Sequence, residues 1–205
     1  MYVEVFLVGI LAGLSPGPDF FVVMKNSLGY GQRIGIATAF GIAFALLIHI
    51  AYTVLGFTYV IQTTPQLFIA IKLAGASYLL WLGFQAIRAK PNAGTVQSSP
   101  QLHNEPKSLG QAFREGFLCN ALNPKAALFF LSVFSQFISE DTARWMQWVY
   151  GAEIIAAVGL WFVLLAIMIS YRTFRELYQK YTHWLDRSLG AVLIYFAVVI
   201  VFTAF

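Results

Sequence analysis

The sequence predicts an all-α, polytopic membrane protein: six transmembrane helices in two inverted three-helix repeats, with the first and fourth helices broken. Three observations lead there. Hydrophobic residues fill 59% of the 205 positions and charged residues only 11%, a balance too apolar for a soluble domain of this size. Runs of roughly 20 apolar residues, the length that crosses a bilayer, recur along nearly the whole chain. Two of those runs carry proline where a helix should be continuous, at Ser15-Pro16-Gly17-Pro18-Asp19 and at Asn123-Pro124-Lys125.

Taken in order, the expected spans are 3–24, 34–61, 67–88, 114–138, 146–170 and 187–204. The first lacks a basic leader and a small-residue cleavage site, so it reads as a retained span and not a signal peptide. Loop charges orient the set. Lys25 and Arg33 flank the first loop; Arg88, Lys90, Lys107 and Arg114 belong to the third; Arg172, Arg175, Lys180 and Arg187 to the fifth. The second loop has no basic residue and the fourth only Arg144. The positive-inside rule then puts loops one, three and five in the cytoplasm and both termini outside. Loop five, Tyr171 to Asp186, mixes aromatic and charged residues and reads either as a short interfacial helix or as a solvated loop with aromatic anchors. Trp145, Trp148 and Tyr150 mark an aromatic belt at the outer boundary.

Loop three, rich in Pro, Ser, Asn and Gln, is a flexible linker that divides the chain. The expected organisation is a first three-helix repeat over 1–90, a cytoplasmic linker over 91–110 and a second, inverted repeat over 111–205. Three spans per half force the second half to enter the membrane from the opposite side. Each break falls in the first span of its half. Interrupted spans in corresponding positions of inverted halves point to the binding site in secondary transporters.

The local grammar at each break is that of a helix start. Ser15 and Asn123 are good N-caps, and Pro16 and Pro124 suit the first helical position. Half-helices starting inside the membrane present free amide donors and a positive dipole end, fitted to a carboxylate, while carbonyls released upstream suit an ammonium. A zwitterionic amino acid offers both groups. The plainer alternative is a pair of proline kinks serving packing. A charge at mid-membrane costs about 2.5–3.5 kcal/mol on insertion scales, so Asp19 and Lys125 need reasons. They are candidates to pair with each other or to alternate on substrate or proton, with snorkelling of Lys125 as the alternative. His49, the histidine within a span, is a candidate proton carrier alongside Asp19, or a hydrogen-bonded core residue. Lys72 and Glu153 are candidates for an outer gate, or simply reach the headgroups. The expected substrate-binding set is Ser15, Pro16, Gly17, Pro18, Asp19, Asn120, Asn123, Pro124 and Lys125.

Other chemistry is absent from the sequence. The single Cys119 excludes an internal disulfide and dithiol redox chemistry. No metal cluster or cofactor motif is present. A net charge of +4 reflects basic loops and not nucleic-acid binding. An intramembrane aspartyl protease needs two aspartates and only Asp19 lies in a span, while Ser15 lacks a Gly-x-Ser-Gly setting. An enzyme is thus disfavoured, as is a pore.

Several blocks resemble the LysE/RhtB family of amino-acid exporters: Ser15-Pro16-Gly17-Pro18-Asp19-Phe20; Gly29 to Ala37 with Gly41; Lys72 to Leu79 with Leu82-Gly83; and Phe113 to Phe130 with Gln136-Phe137. Ala45 stands where the family usually has glycine and Ser135 where it has proline, departures that bear on packing. The resemblance implies a secondary transporter in a bacterial inner membrane, exporting small amino acids by proton antiport. Threonine- or homoserine-like neutral substrates are expected first, with basic or cysteine-type ones as the alternative. Membrane lipids and a second copy, docked through small-residue faces, are the further expected partners.

Overall fold

The computed structural model describes residues 2–14, 17–88, 106–138 and 142–203, and among these every regular element is helical. In chain order the helices are α1 (Tyr2–Leu14), α2 (Pro18–Tyr30), α3 (Gln32–Thr63), α4 (Pro65–Ile87), α5 (Leu109–Ala121), α6 (Pro124–Phe137), α7 (Arg144–Met168) and α8 (Arg172–Thr203). Four contain single apolar spans: Gln32–Gly56, Gln66–Ile87, Arg144–Met168 and His183–Phe202. The other two spans are bent pairs, α1 with α2 at 65° and α5 with α6 at 59°. The bends fall at the two proline motifs.

The joints are tighter than the loops expected from sequence. Loop one contracts to Gly31, whose φ of +94° with ψ of 166° is a conformation that only glycine adopts readily. Loop two contracts to Thr64, with Pro65 opening α4 where its missing N–H costs nothing. The fourth span begins five residues early, at Leu109, because Ser108 and Gln111 form a reciprocal capping box. Most of the linker expected over 91–110, namely 91–105, lies outside the described residues. Loop five is neither a loop nor a separate interfacial helix. Its residues form the start of α8, where Arg172 pairs with Glu176 one turn on and Phe174 and Tyr178 pack against the core.

Two further corrections concern single positions. The α2 helix starts at Pro18 and not Pro16, and its cap is Gly17, fully extended at φ −170° and ψ −173° with no side-chain capping bond. A residue before proline is driven out of the helical region, so Pro18 forbids Gly17 from joining the helix. Ser15 and Pro16 lie outside the described residues. Tyr150 does not belong to the aromatic belt. Trp145 and Trp148 are exposed on α7, but Tyr150, about 140° further round from Trp145, is fully buried near Phe137.

Two apolar clusters share α6. One joins α1, α2, α3, α6 and α7 through Val5, Phe20, Ile42, Phe130, Tyr150 and Phe162, with Phe68 of α4 in it and Phe174 and Tyr178 of α8 packed on it. The other joins α4, α6 and α8 through Leu79, Leu82, Val133, Leu189, Leu193 and Ile200. Outside both, Phe40, Phe44, Leu47, Trp81, Phe84, Tyr195 and Phe202 are exposed, as side chains facing acyl chains should be. The helix pairs α3–α5, α4–α8, α3–α7 and α1–α7 carry most of the packing.

Glycines set the closest approaches. A Cβ on Gly41 would lie 2.0 Å from the Phe113 carbonyl oxygen, and one on Gly116 2.1 Å from that of Thr38, so α3 and α5 meet backbone to backbone. Gly83 and Gly190 do the same for α4 and α8, each facing the other's carbonyl oxygen. A Cβ on Gly110, by contrast, would meet nothing. Gly116→Leu should therefore lose at least the 1–3 kcal/mol typical of overpacking, read as a lower thermal midpoint of the detergent-solubilised protein. Gly110→Ala should leave that midpoint unchanged or raise it.

Candidate functional site

The two breaks meet. Asp19, second residue of α2, is half-buried and accepts from the Asn120 side-chain amide at 3.0 Å and from that of Asn123 at 3.1 Å, both through Oδ2. Asn120 sits in the last turn of α5, and Asn123 is the N-cap of α6. The Asn123 Oδ1 accepts from the Lys125 backbone N–H at 3.0 Å, so one side chain caps α6 and ties it to α2. Asp19 Oδ1 and Asn120 Oδ1 are buried without hydrogen-bond partners. The Cys119 thiol, a weak donor, lies beside the carboxylate.

His49 backs this arrangement. It is 1% exposed, stacked on Phe130, with Nε2 3.2 Å from the Asn120 carbonyl oxygen and Nδ1 2.9 Å from the Tyr52 hydroxyl. A carbonyl can only accept, so Nε2 carries the proton and, in the neutral ring, Nδ1 accepts from Tyr52. His49 thus contacts the backbone of the residue whose amide holds Asp19.

Between the breaks lies a cavity of about 60 Å³, counted as the space open to the centres of water molecules. That is room for on the order of five waters. Its polar wall is Gly17, Asp19, Asn120, Asn123 and Lys125, and its apolar wall includes Leu46, Leu82, Phe129, Val158, Phe162 and Leu193. The apolar residues come from both clusters, so the cavity is the seam between them. First-turn amides of α2 and α6 have no intrahelical acceptor and add a positive dipole end on the same side. One end of the polar wall can therefore hold a cation through Asp19 and Asn120, and the other an anion through Lys125. No group of three potential metal ligands occurs among the described residues.

Of the residues expected from sequence, Gly17, Asp19, Asn120, Asn123 and Lys125 come together at the cavity, while Pro18 and Pro124 open the half-helices beside it. Lys72 and Glu153 are not joined. The Lys72 ammonium lies 5.1 Å above the Phe68 ring, and Glu153 keeps a buried oxygen without a hydrogen bond.

Sequence reasoning missed two features. The first is Asp186, which attracts Lys125 from α8; its spacing to Leu189 and Leu193 was the available signal. The second is a polar knot on the side of the basic loops. There the fully buried Asn26 donates to Thr38 at 2.8 Å and to Glu115 at 3.1 Å, and accepts from Lys107 at 2.9 Å. Lys107 and Lys25 both pair with Glu115, and Lys107 also lies over the Tyr30 ring. No local pattern announces contacts between residues some 90 positions apart.

Comparison with known proteins bears on this geometry. The profile of the family described as LysE type translocator matches residues 10–203. The chain is 30% identical to the threonine efflux protein of Escherichia coli (strain K12) over 198 residues, 97% of this chain and 96% of that one. It is 31% identical to the threonine efflux protein of Salmonella typhi over 199 residues, with the same coverage. It is 37% identical to the leucine efflux protein of Salmonella choleraesuis (strain SC-B67) over 140 residues, 65% of this chain and 61% of that one. No solved structure matches at a significant level. A cavity between two broken helices in an apolar bundle, and a profile match over nearly its whole length, identify this chain as a member of the LysE type translocator family, a polytopic membrane transporter and not an enzyme.

Proposed function

We propose that this protein exports small neutral amino acids, threonine- or homoserine-like, across a bacterial inner membrane by proton antiport. One observation carries the reading: Asp19, Asn120 and Lys125 share a cavity where two half-helices start. The substrate ammonium sits at the open oxygens of Asp19 and Asn120, and its carboxylate at Lys125 and the Ala126 amide. The side chain then meets leucines, valine and phenylalanines, and among the described lining residues Asp19 is the one carboxylate. A small cavity favours a compact substrate, and the threonine and leucine efflux relatives act on amino acids of this neutral class.

The antiport reading draws on His49, linked through Asn120 to Asp19. Export from the cytoplasm with both termini outside rests on the basic loops, and Lys25 and Lys107 of two of them converge on Glu115. Inverted repeats are supported by helix pairing. A two-fold axis exchanging the halves turns the α1–α7 contact into the α5–α3 contact and maps the α3–α7 and α4–α8 pairs onto themselves, although the α2–α3 and α4–α6 pairs have no comparable counterpart among the described residues.

Counterflow in proteoliposomes with a panel of labelled amino acids under an imposed pH gradient tests the reading. Small neutral amino acids should exchange; if folded protein exchanges none, the proposal fails. Asp19→Asn and Lys125→Ala should each cut transport at least ~30-fold, the rate equivalent of about 2 kcal/mol lost with one partner of a buried charged contact. Both should still insert in the membrane. His49→Ala should keep exchange but lose acceleration by the pH gradient, and retained acceleration would remove the histidine from the proton route.

A further inference from the structure

Lys125 has more than one carboxylate in view. Asp186 on α8 faces it, as Asp19 does. The geometry of α8 explains how. Asp186, Leu189 and Leu193 are spaced i, i+3 and i+7, so they share one face of that helix. Leu189 and Leu193 line the cavity together with Lys125. Asp186 is therefore the next group down the cavity-facing stripe, one turn toward the basic-loop side, and it is half-buried. The lysine's four-carbon stem lets the ammonium swing between the cavity centre and this lower position.

Other charges near Asp186 are few. His183, one turn before it on α8, also attracts it and keeps a buried Nδ1 without a hydrogen bond. Arg187 turns its guanidinium onto the Trp184 ring, 5.6 Å from the centroid. Among the described residues, Lys125 is the cation on another helix that acts on Asp186 electrostatically.

We propose that Asp186 is a positioning residue that competes with the substrate carboxylate for Lys125, holding the lysine toward the cytoplasmic side when the cavity is empty and yielding it when an amino acid binds. This rests on the exporter reading above. An exporter must release as well as bind. A lysine free to commit wholly to the substrate would make the complex tight and slow, whereas a second anion within reach lowers affinity and restores the empty state.

The test uses the purified full chain with L-threonine as the probe, reading its dissociation constant by calorimetry and its counterflow rate in proteoliposomes. Asp186→Asn should bind L-threonine about 5- to 20-fold more tightly while its counterflow rate falls by a similar factor. Asp186→Glu, which keeps the charge, should stay within about twofold of wild type in both. Asp186→Asn in a Lys125→Gln background should not change binding further. Unchanged or weaker binding by a monodisperse Asp186→Asn overturns the proposal, as does an Asp186→Glu that behaves like the amide or an additive double variant. If wild type neither binds nor exchanges any amino acid of the panel, the exporter reading falls and takes this with it. If wild type transports and the Asp186 variants fail these expectations, only the role of Asp186 falls.

Discussion

The contact on which the site depends is the pair of amide hydrogen bonds from Asn120 and Asn123 to one oxygen of Asp19. Breaking a helix inside a membrane strands backbone donors and acceptors that lipid cannot satisfy. Here each break partly repairs the other. Asn123 caps the α6 start with its oxygen and reaches the α2 start with its nitrogen, so a single side chain fixes both the helix boundary and the distance between the two starts. Buried polar networks of this kind are strong when complete and costly when one member is missing. The one oxygen left open on Asp19, and the one on Asn120, are incomplete by the same standard, and they are where a ligand would finish the network.

Around that contact the bundle divides in a way that the order of spans does not suggest. The tight α3–α5 backbone packing at Gly41 and Gly116 and the Asn26 knot bind α2, α3 and α5 into one unit on the side of the basic loops. The Gly83–Gly190 crossing binds α4 to α8 on the far side of the cavity. The α6 helix belongs to both apolar clusters and carries Lys125 at its start. The two sides are also tied away from the cavity, where Phe20 of α2 stacks on Tyr178 of α8 and Phe68 of α4 joins the larger cluster.

Much of this was legible in the sequence, and the boundary is physical. Proline's missing donor and fixed φ made the breaks at Pro18 and Pro124 readable, and the cost of intramembrane charge singled out Asp19 and Lys125. The cap at Asn123 was readable too, whereas that of α2 was misplaced at Ser15, because two prolines compete and Pro18 keeps Gly17 out of the helix as its cap. The start of α8 was hidden because amphipathic helix and solvated loop share a composition of aromatic and charged residues. Tyr150 was misjudged by proximity in sequence to Trp145 and Trp148, where helical rotation and not distance decides the face. The Asn26–Glu115 knot depends on which helices pack together, and nothing local encodes that, whereas the spacing of Asp186 to Leu189 and Leu193 marks its face of α8 but not its partner on α6.

Under the exporter reading, the chemistry of Asp19 also bears on coupling. Oδ2 already holds two donors, so a substrate ammonium and a proton would both turn to Oδ1, and they could not occupy it together. Mutual exclusion at one atom is the condition an antiporter needs: each occupant leaves when the other arrives, and neither leaves a bare buried charge behind. Lys125 extends the same logic to the anionic end, where the substrate carboxylate and Asp186 take turns. A zwitterion entering the cavity then replaces a proton at one pole and a carboxylate at the other. At Asp19 the ammonium's positive charge takes the place of the proton's, so that pole keeps its charge in both states, as a low-dielectric interior favours.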